Sequence, residues 1–287
     1  MALIHATSIQ LCHTKFGHHQ PPRGRVVASA SNDNTPKIAE TAQRRRRYSL
    51  PTTLEESINQ AKLACRYAIE DGSTRLQLEF LLPLIGATDL DDWPGGIQQQ
   101  FKAAVPVVSS LLNGIIEDEA AAADNSYKIY FLDEGDATGV WEKDEIALVL
   151  FPTAESLPAI ENLEKIKNRP LLLLNPQWQA GQVISDFGFG EQRKQREKLV
   201  ESFSTVYFLK QVRILGEDVR LLKTYPGDWQ VFVIDKGGSI DCIATEEEKP
   251  SYKRLQDILK ERKGSVANKG WFGRLMNELK FNQDSLK

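Results

Sequence analysis

The chain has 287 residues, 41% of them hydrophobic, and a formal charge of −3, enough for one domain of ~200 residues plus extensions. From residue 48 onward 28 basic residues face 37 acidic ones, a net of −9 that disfavours nucleic-acid binding. All four histidines (His5, His13, His18 and His19) lie before residue 20. A chain without that segment has no imidazole for Ser/His or Cys/His catalysis or for a zinc site.

In chain order, residues 1–32 lack Asp and Glu but carry Lys15, Arg23 and Arg25 among scattered Ser and Thr, the composition of an organelle transit peptide. Met1 to Leu11 is broken by His5, Thr7, Ser8 and Gln10, too short and polar for a membrane anchor. We therefore read 1–47 as transit peptide and linker, closed by the solvated run Arg44 to Arg47. Leu50-Pro51-Thr52-Thr53-Leu54-Glu55-Glu56 holds two overlapping Thr-x-x-Glu capping boxes, so a helix starts there. Leu54, Ile58, Ala61, Cys65, Ala68 and Ile69 form its apolar face, and Asp71-Gly72 stops it.

Arg75 to Leu82 reads as a strand, Ala103 to Ile116 as a helix and Lys128 to Leu132 as a strand. Glu145 to Phe151 is a buried strand, Ala154 to Ile166 a helix and Pro170 to Leu174 a third apolar run. Gln192 to Glu201 is a charged helix and Ser204 to Leu209 a strand. Strands and helices alternating at this spacing predict a mostly parallel sheet with helices on both faces. Val219 to Thr224, Gln230 to Asp235 and Ile240 to Thr245 then follow one another through Pro226-Gly227-Asp228 and Lys236-Gly237-Gly238. Short turns of this kind extend the α/β sheet with a C-terminal antiparallel meander, and Pro-Gly suggests positive φ at Gly227. Lys249 to Arg262 closes a single domain over 48–262. Residues 263–287 form a linker and an amphipathic C-terminal helix.

Candidate chemistry is sparse. Asp186-Phe187-Gly188 lacks the companions of a kinase loop, and Gly188-Phe189-Gly190 lacks the third glycine of a dinucleotide fingerprint. Loops at the expected carboxyl edge carry Asp89, Asp91 and Asp92, then Asp133, Glu134 and Asp136, then Asn175 and Asp186. Asp133 and Asp136 are weak metal candidates, and solvated acidic loops account for the rest. Asn175-Pro176-Gln177-Trp178 and Tyr225-Pro226-Gly227-Asp228-Trp229 are turns flanked by aromatics, read as structural turns or as contacts for a ligand or partner. Cys65 and Cys242 read as two small buried side chains. In the tail, Trp271, Phe272, Leu275, Met276 and Leu279 recur at helical spacing, either docking on the domain or meeting a partner or membrane surface.

Leu50 to Glu56, Phe151-Pro152 to Asn162, Arg169 to Trp178 and Tyr225 to Asp235 together resemble a plastid family of unknown biochemical function. That family includes the low photosystem II accumulation type assembly proteins. The resemblance runs over about residues 48 to 262 and supplies no catalytic residue. It implies a chloroplast protein, stromal or loosely thylakoid-associated, that assists photosystem II assembly by binding its subunits or other assembly factors, with no cofactor. The alternative is a metal- or small-molecule-binding α/β enzyme, argued from architecture alone.

Overall fold

The computed structural model describes residues 47–82, 96–115, 127–166, 169–178, 190–235 and 237–262. Residues 1–46, which hold most of the segment read as transit peptide and linker, and Asp89, Asp91, Asp92, Asp186 and the tail with Trp271 and Phe272 lie outside them.

Helix α1 (Leu54–Glu70) begins at the second of the two capping boxes: Thr53 accepts from the Glu56 backbone while the Glu56 side chain reaches back. It ends at Asp71, and Gly72 follows at φ 86°. Next come β1 (Arg75–Glu79), α2 (Gly96–Leu112), β2 (Lys128–Asp133), β3 (Thr138–Glu142), β4 (Ala147–Leu150), α3 (Leu157–Ile166) and β5 (Leu171–Leu174). Then follow α4 (Gly190–Glu201), β6 (Ser204–Ile214), β7 (Glu217–Thr224), β8 (Trp229–Ile234), β9 (Ile240–Glu246) and α5 (Tyr252–Glu261).

The nine strands form one sheet in the order β2-β3-β4-β5-β1-β6-β7-β8-β9. The expectation of a mostly parallel sheet is overturned. Only β4·β5, β5·β1 and β1·β6 pair in parallel, and the other five pairings are antiparallel. The cause is connection length. A parallel pair needs a crossover of roughly ten or more residues, whereas β2 to β3, β3 to β4 and every step from β6 to β9 are joined by two to five. The strand missed in the sequence, β3, turns the β2 side antiparallel. Its Gly139 explains the weak signal: a Cβ there lies 2.8 Å from Phe101 on α2, so the position excludes the larger residues that mark strands. On the other side, β6 is longer than expected. It turns into β7 through Leu215 and Gly216 at φ 52° and 82°, the positive pair that suits a two-residue hairpin. The meander of β7, β8 and β9 is as the turns predict.

Alternation along the strands builds two apolar faces. Leu76, Leu78, Leu148, Leu150, Leu172 and Leu174 pack on the first face with α1 and α2. Ala147, Val149, Leu171 and Leu173 pack on the second with α3, and Val219, Leu221, Val231 and Val233 pack there with α5. Cys65 is buried in the first face as expected. Cys242 corrects the reading of a second buried thiol: it is exposed, on the last strand, and both cysteines are free.

Candidate functional site

The carboxyl edge of the parallel strands is where open α/β sheets usually take ligands. The two motif prolines mark it. β4 ends at Phe151-Pro152 and β5 at Asn175-Pro176, with Phe151 at φ 52° and Asn175 at φ 49°. Phe151 N–H donates to Leu174 O (2.9 Å), Asn175 N–H to Leu78 O (2.8 Å) and Gln177 N–H to Pro152 O (2.9 Å). The left-handed conformation suits Asn and costs Phe151 more. Thr138 holds Phe151 by donating its hydroxyl to the Phe151 carbonyl at 2.9 Å.

After β1 the chain passes to α2 on the first face, and after β5 to α4 against the second, so the strand order switches between β1 and β5. Asn175 bridges that crevice. Its Oδ1 accepts from Phe80 N–H at 2.7 Å and its Nδ2 donates to Phe80 O at 3.0 Å, so the amide continues the β1·β5 ladder by one residue. Trp178 lies half-buried against the second-face core. Asp133 and Asp136 do reach this edge, through the β2–β3 turn, where the Asp133 carboxylate accepts the Asp136 N–H. Among the described residues no three His, Cys, Asp or Glu side chains gather as a metal site.

The second aromatic turn lies elsewhere. Tyr225 N–H donates to Val206 O, and the Tyr225 hydroxyl to Asp71 just before β1, which places the turn at the amino edge. Positive φ at Gly227 is not what shapes it. The Tyr225–Pro226 peptide is cis and Gly227 N–H donates to Thr224 O, a turn with proline in its third position. Trp229 is buried, its ring 5.0 Å from that of Phe208. Asn175 with Trp178, and Tyr225 with Trp229, are therefore at opposite ends of the strands and share no surface.

What does open at the carboxyl edge is a groove of about 830 Å³ on the first face, between the start of α1, the chain after β1 and the β6–β9 meander. Leu50, Leu81, Leu82, Leu209, Ile234 and Ile240 supply its apolar wall. Leu54 is 37% exposed, Leu81 43% and Ile240 39%, large side chains that a solvent-facing surface rarely groups together. Gln230 fixes the segment that forms one wall: buried at 1%, its amide pairs both backbone groups of Tyr48, at 2.8 and 3.0 Å. Arg220 brings a guanidinium, with Nε 3.6 Å from Asp218.

The hydroxyls in the groove are occupied. Thr52 donates to Glu56 (3.0 Å), Thr53 accepts from Glu56 N–H (3.1 Å) and Ser57 donates to Thr53 O (3.1 Å). The Thr52 backbone N–H, then the Thr52 hydroxyl and Thr53 N–H, hold the Glu56 carboxyl below its ordinary value. Glu56 is thus an ionised helix cap and a poor proton acceptor. Among the described residues the lining has neither an activated nucleophile nor a base beside one. Among those residues it is apolar apart from these capped hydroxyls, Gln211 and the Arg220 guanidinium.

A family model, the domain of unknown function DUF1995, matches residues 51–257. The chain belongs to the DUF1995 family. No curated protein and no solved structure matches it. The tail beyond residue 262 is outside the matched part of the DUF1995 chain.

Two features of this DUF1995 domain escaped the sequence reading. Leu81, Arg220 and Ile240 line one groove but lie on three separated segments, and the only local sign was a lone arginine among Val219, Leu221 and Leu222. The other feature is Glu79, at the end of β1 on the second face. Burial pushes its carboxyl up, against the pull of Lys249 and Lys210, and burial pushes the Lys249 ammonium down. Lys249 Nζ lies 4.1 Å from the Phe208 ring centroid and 5.6 Å from that of Trp229. Because the folded-state value of Glu79 is raised, its contribution to stability is lost as pH climbs from the unfolded carboxylate range through the folded value. Glu79→Gln is therefore expected to melt higher than wild type at pH 7 and level with it at pH 4. Thermal scans at the two pH values check this, and equal melting at pH 7 would count against a desolvated carboxylate.

Proposed function

We propose that this protein acts by binding other proteins, as a non-enzymatic plastid factor that assists the accumulation of photosystem II. The observation that carries the reading is the groove at the carboxyl edge, with Leu54, Leu81 and Ile240 exposed around hydroxyls already committed to a helix cap. Apolar side chains grouped in a concavity match a peptide or helix of a partner. The plastid context comes from the resemblance carried by Leu50 to Glu56, Phe151-Pro152 to Asn162, Arg169 to Trp178 and Tyr225 to Asp235. No helix among the described residues is long and apolar enough to cross a membrane. In this reading the protein is stromal or meets thylakoids peripherally, through photosystem II subunits or other assembly factors.

The test is native-gel comigration with photosystem II assembly intermediates from plastids expressing wild type or the Leu81→Asp/Ile240→Asp double variant. Charges in the groove reduce comigration roughly ten-fold, the loss expected when apolar burial by two side chains is forfeited. Both sites are exposed, so stability changes by only about 0.5 kcal/mol for each. Comigration that is absent in wild type, or unchanged in the double variant, overturns the reading.

A further inference from the structure

We infer that in the free protein the groove is closed by this chain's own C-terminal segment, residues 270–281. A protein-binding groove is the one element taken over from the proposed function. Three observations name the occupant. The first is where the described chain ends. Helix α5 packs on the second face, but at its end the Arg262 guanidinium lies 2.8 Å from Asp241 and 3.9 Å from Glu217. Asp241 is the chain neighbour of Ile240, and Ile240 and Gly238 of the β8–β9 turn both line the groove. Asp241 faces the opposite side of β9 from Ile240, so the tail leaves the domain on the second face, at the same strand end as the groove and one sheet edge away from it. Residues 263–269 span up to about 25 Å when extended, ample for rounding one edge of a sheet.

The second observation is chemical fit. Trp271, Phe272, Leu275, Met276 and Leu279 recur at the spacing of one helix face, and the groove offers Leu54, Leu81, Leu209, Ile234 and Ile240 to such a face. The third is charge. Residues 263–287 carry five basic and two acidic side chains, a net of +3, while residues 48–262 carry 23 basic and 35 acidic, a net of −12. Asp235 and Asp241 adjoin the groove lining in sequence and the Asp218 carboxylate accepts from Gln211 within it, so the tail's cations approach carboxylates at the rim, two of them shared with Arg220 and Arg262.

The exposed thiol of Cys242 makes this testable in the full chain. Cys242 is two residues along β9 from Ile240, hence on the same side of the strand. In a Cys12→Ser background, single cysteines are placed at each position from 268 to 282, for example Gly273→Cys or Asn277→Cys. Purified full-length protein is oxidised mildly, and disulfides are mapped by peptide mass spectrometry. A docked tail gives disulfides to Cys242 within one monomer, and adding Leu54→Asp with Ile240→Asp lowers their yield roughly ten-fold. Absence of such disulfides at every position, disulfides only between two chains, or a yield indifferent to the groove charges overturns the inference. The protein alone supplies this readout, so the outcome is separable from that of the comigration test. A monomer whose tail is locked by the disulfide yet still comigrates with assembly intermediates argues against the groove as the partner site and leaves the docked tail standing.

Discussion

Replacing Asn175 with alanine is expected to lower the unfolding free energy by about 3 kcal/mol, most of it from groups that are not Asn175's own. Its amide satisfies both backbone groups of Phe80, a residue 5% exposed, and each lost hydrogen bond costs about 1 kcal/mol net. The remainder is conformational: at φ 49° alanine pays about 1 kcal/mol that asparagine largely avoids. Asn175→Gly separates the two. It loses the same bonds without the backbone penalty, so it costs about 2 kcal/mol. Urea unfolding of the three proteins checks the order wild type, Gly, Ala. Both variants within about 0.5 kcal/mol of wild type would mean that the amide bridge contributes nothing. The consequence reaches the groove as well. Phe80 is followed directly by Leu81 and Leu82, so releasing Phe80 frees one wall of the groove.

Arg169→Met is expected to cost about 3 kcal/mol or more, the magnitude of removing one partner from a buried ion pair. The Arg169 side chain is 3% exposed and that of Glu142 15%, with Nη2 2.6 Å from the carboxylate. The same guanidinium donates to the Lys143 carbonyl, and the Tyr130 hydroxyl donates to Glu142 at 3.0 Å. Together they pin the β2–β3–β4 corner to the start of β5. Methionine fills part of the volume and leaves the carboxylate and the carbonyl short of a donor. Burial, then Glu142, raises the Tyr130 hydroxyl to about 12, so it remains a donor across the working range.

The pair also predicts a pH dependence. The Arg169 hydrogen bond is the main force holding the Glu142 carboxyl below its ordinary value, opposed by burial and aided by Tyr130. A lowered folded-state value gives stability that is present above the unfolded carboxylate range and lost as pH falls through the folded value. Wild type should therefore lose its advantage over Arg169→Met on acidification, with the gap wide at pH 7 and narrow near pH 3. Denaturant midpoints at both values decide it, and a gap of constant width would assign the effect to packing alone.

Several features were legible from local chemistry. Thr53 and Glu56 cap α1 within one turn, Asp71-Gly72 ends it, and the short turns after Thr224 and Asp235 leave an antiparallel meander little alternative. Each depends on groups a few residues apart in the chain, so the sequence alone determines them. The stops Phe151-Pro152 and Asn175-Pro176 were also visible as stops. That Asn175 closes the switch point was not, because its partner Phe80 is 95 residues away.

Tertiary structure alone decided the rest. Thr138, Val140 and Trp141 favour a strand, but Gly139 and the burial of both faces leave no apolar-polar alternation to mark one. Thr138 to Glu142 becomes β3 because Phe101 packs over Gly139 while Val140 and Trp141 pair with Val149 and Leu148. That one strand changes the balance of the sheet from parallel to antiparallel. The groove is the same kind of outcome. Leu54 belongs to the apolar stripe of α1, yet Ile58, Ala61, Cys65 and Ala68 are covered while Leu54, on the first turn, lies open at the groove. Periodicity records which side of an element is apolar. Whether that side is covered depends on strand order and on where each neighbour ends, and those are set by contacts between residues far apart in the chain.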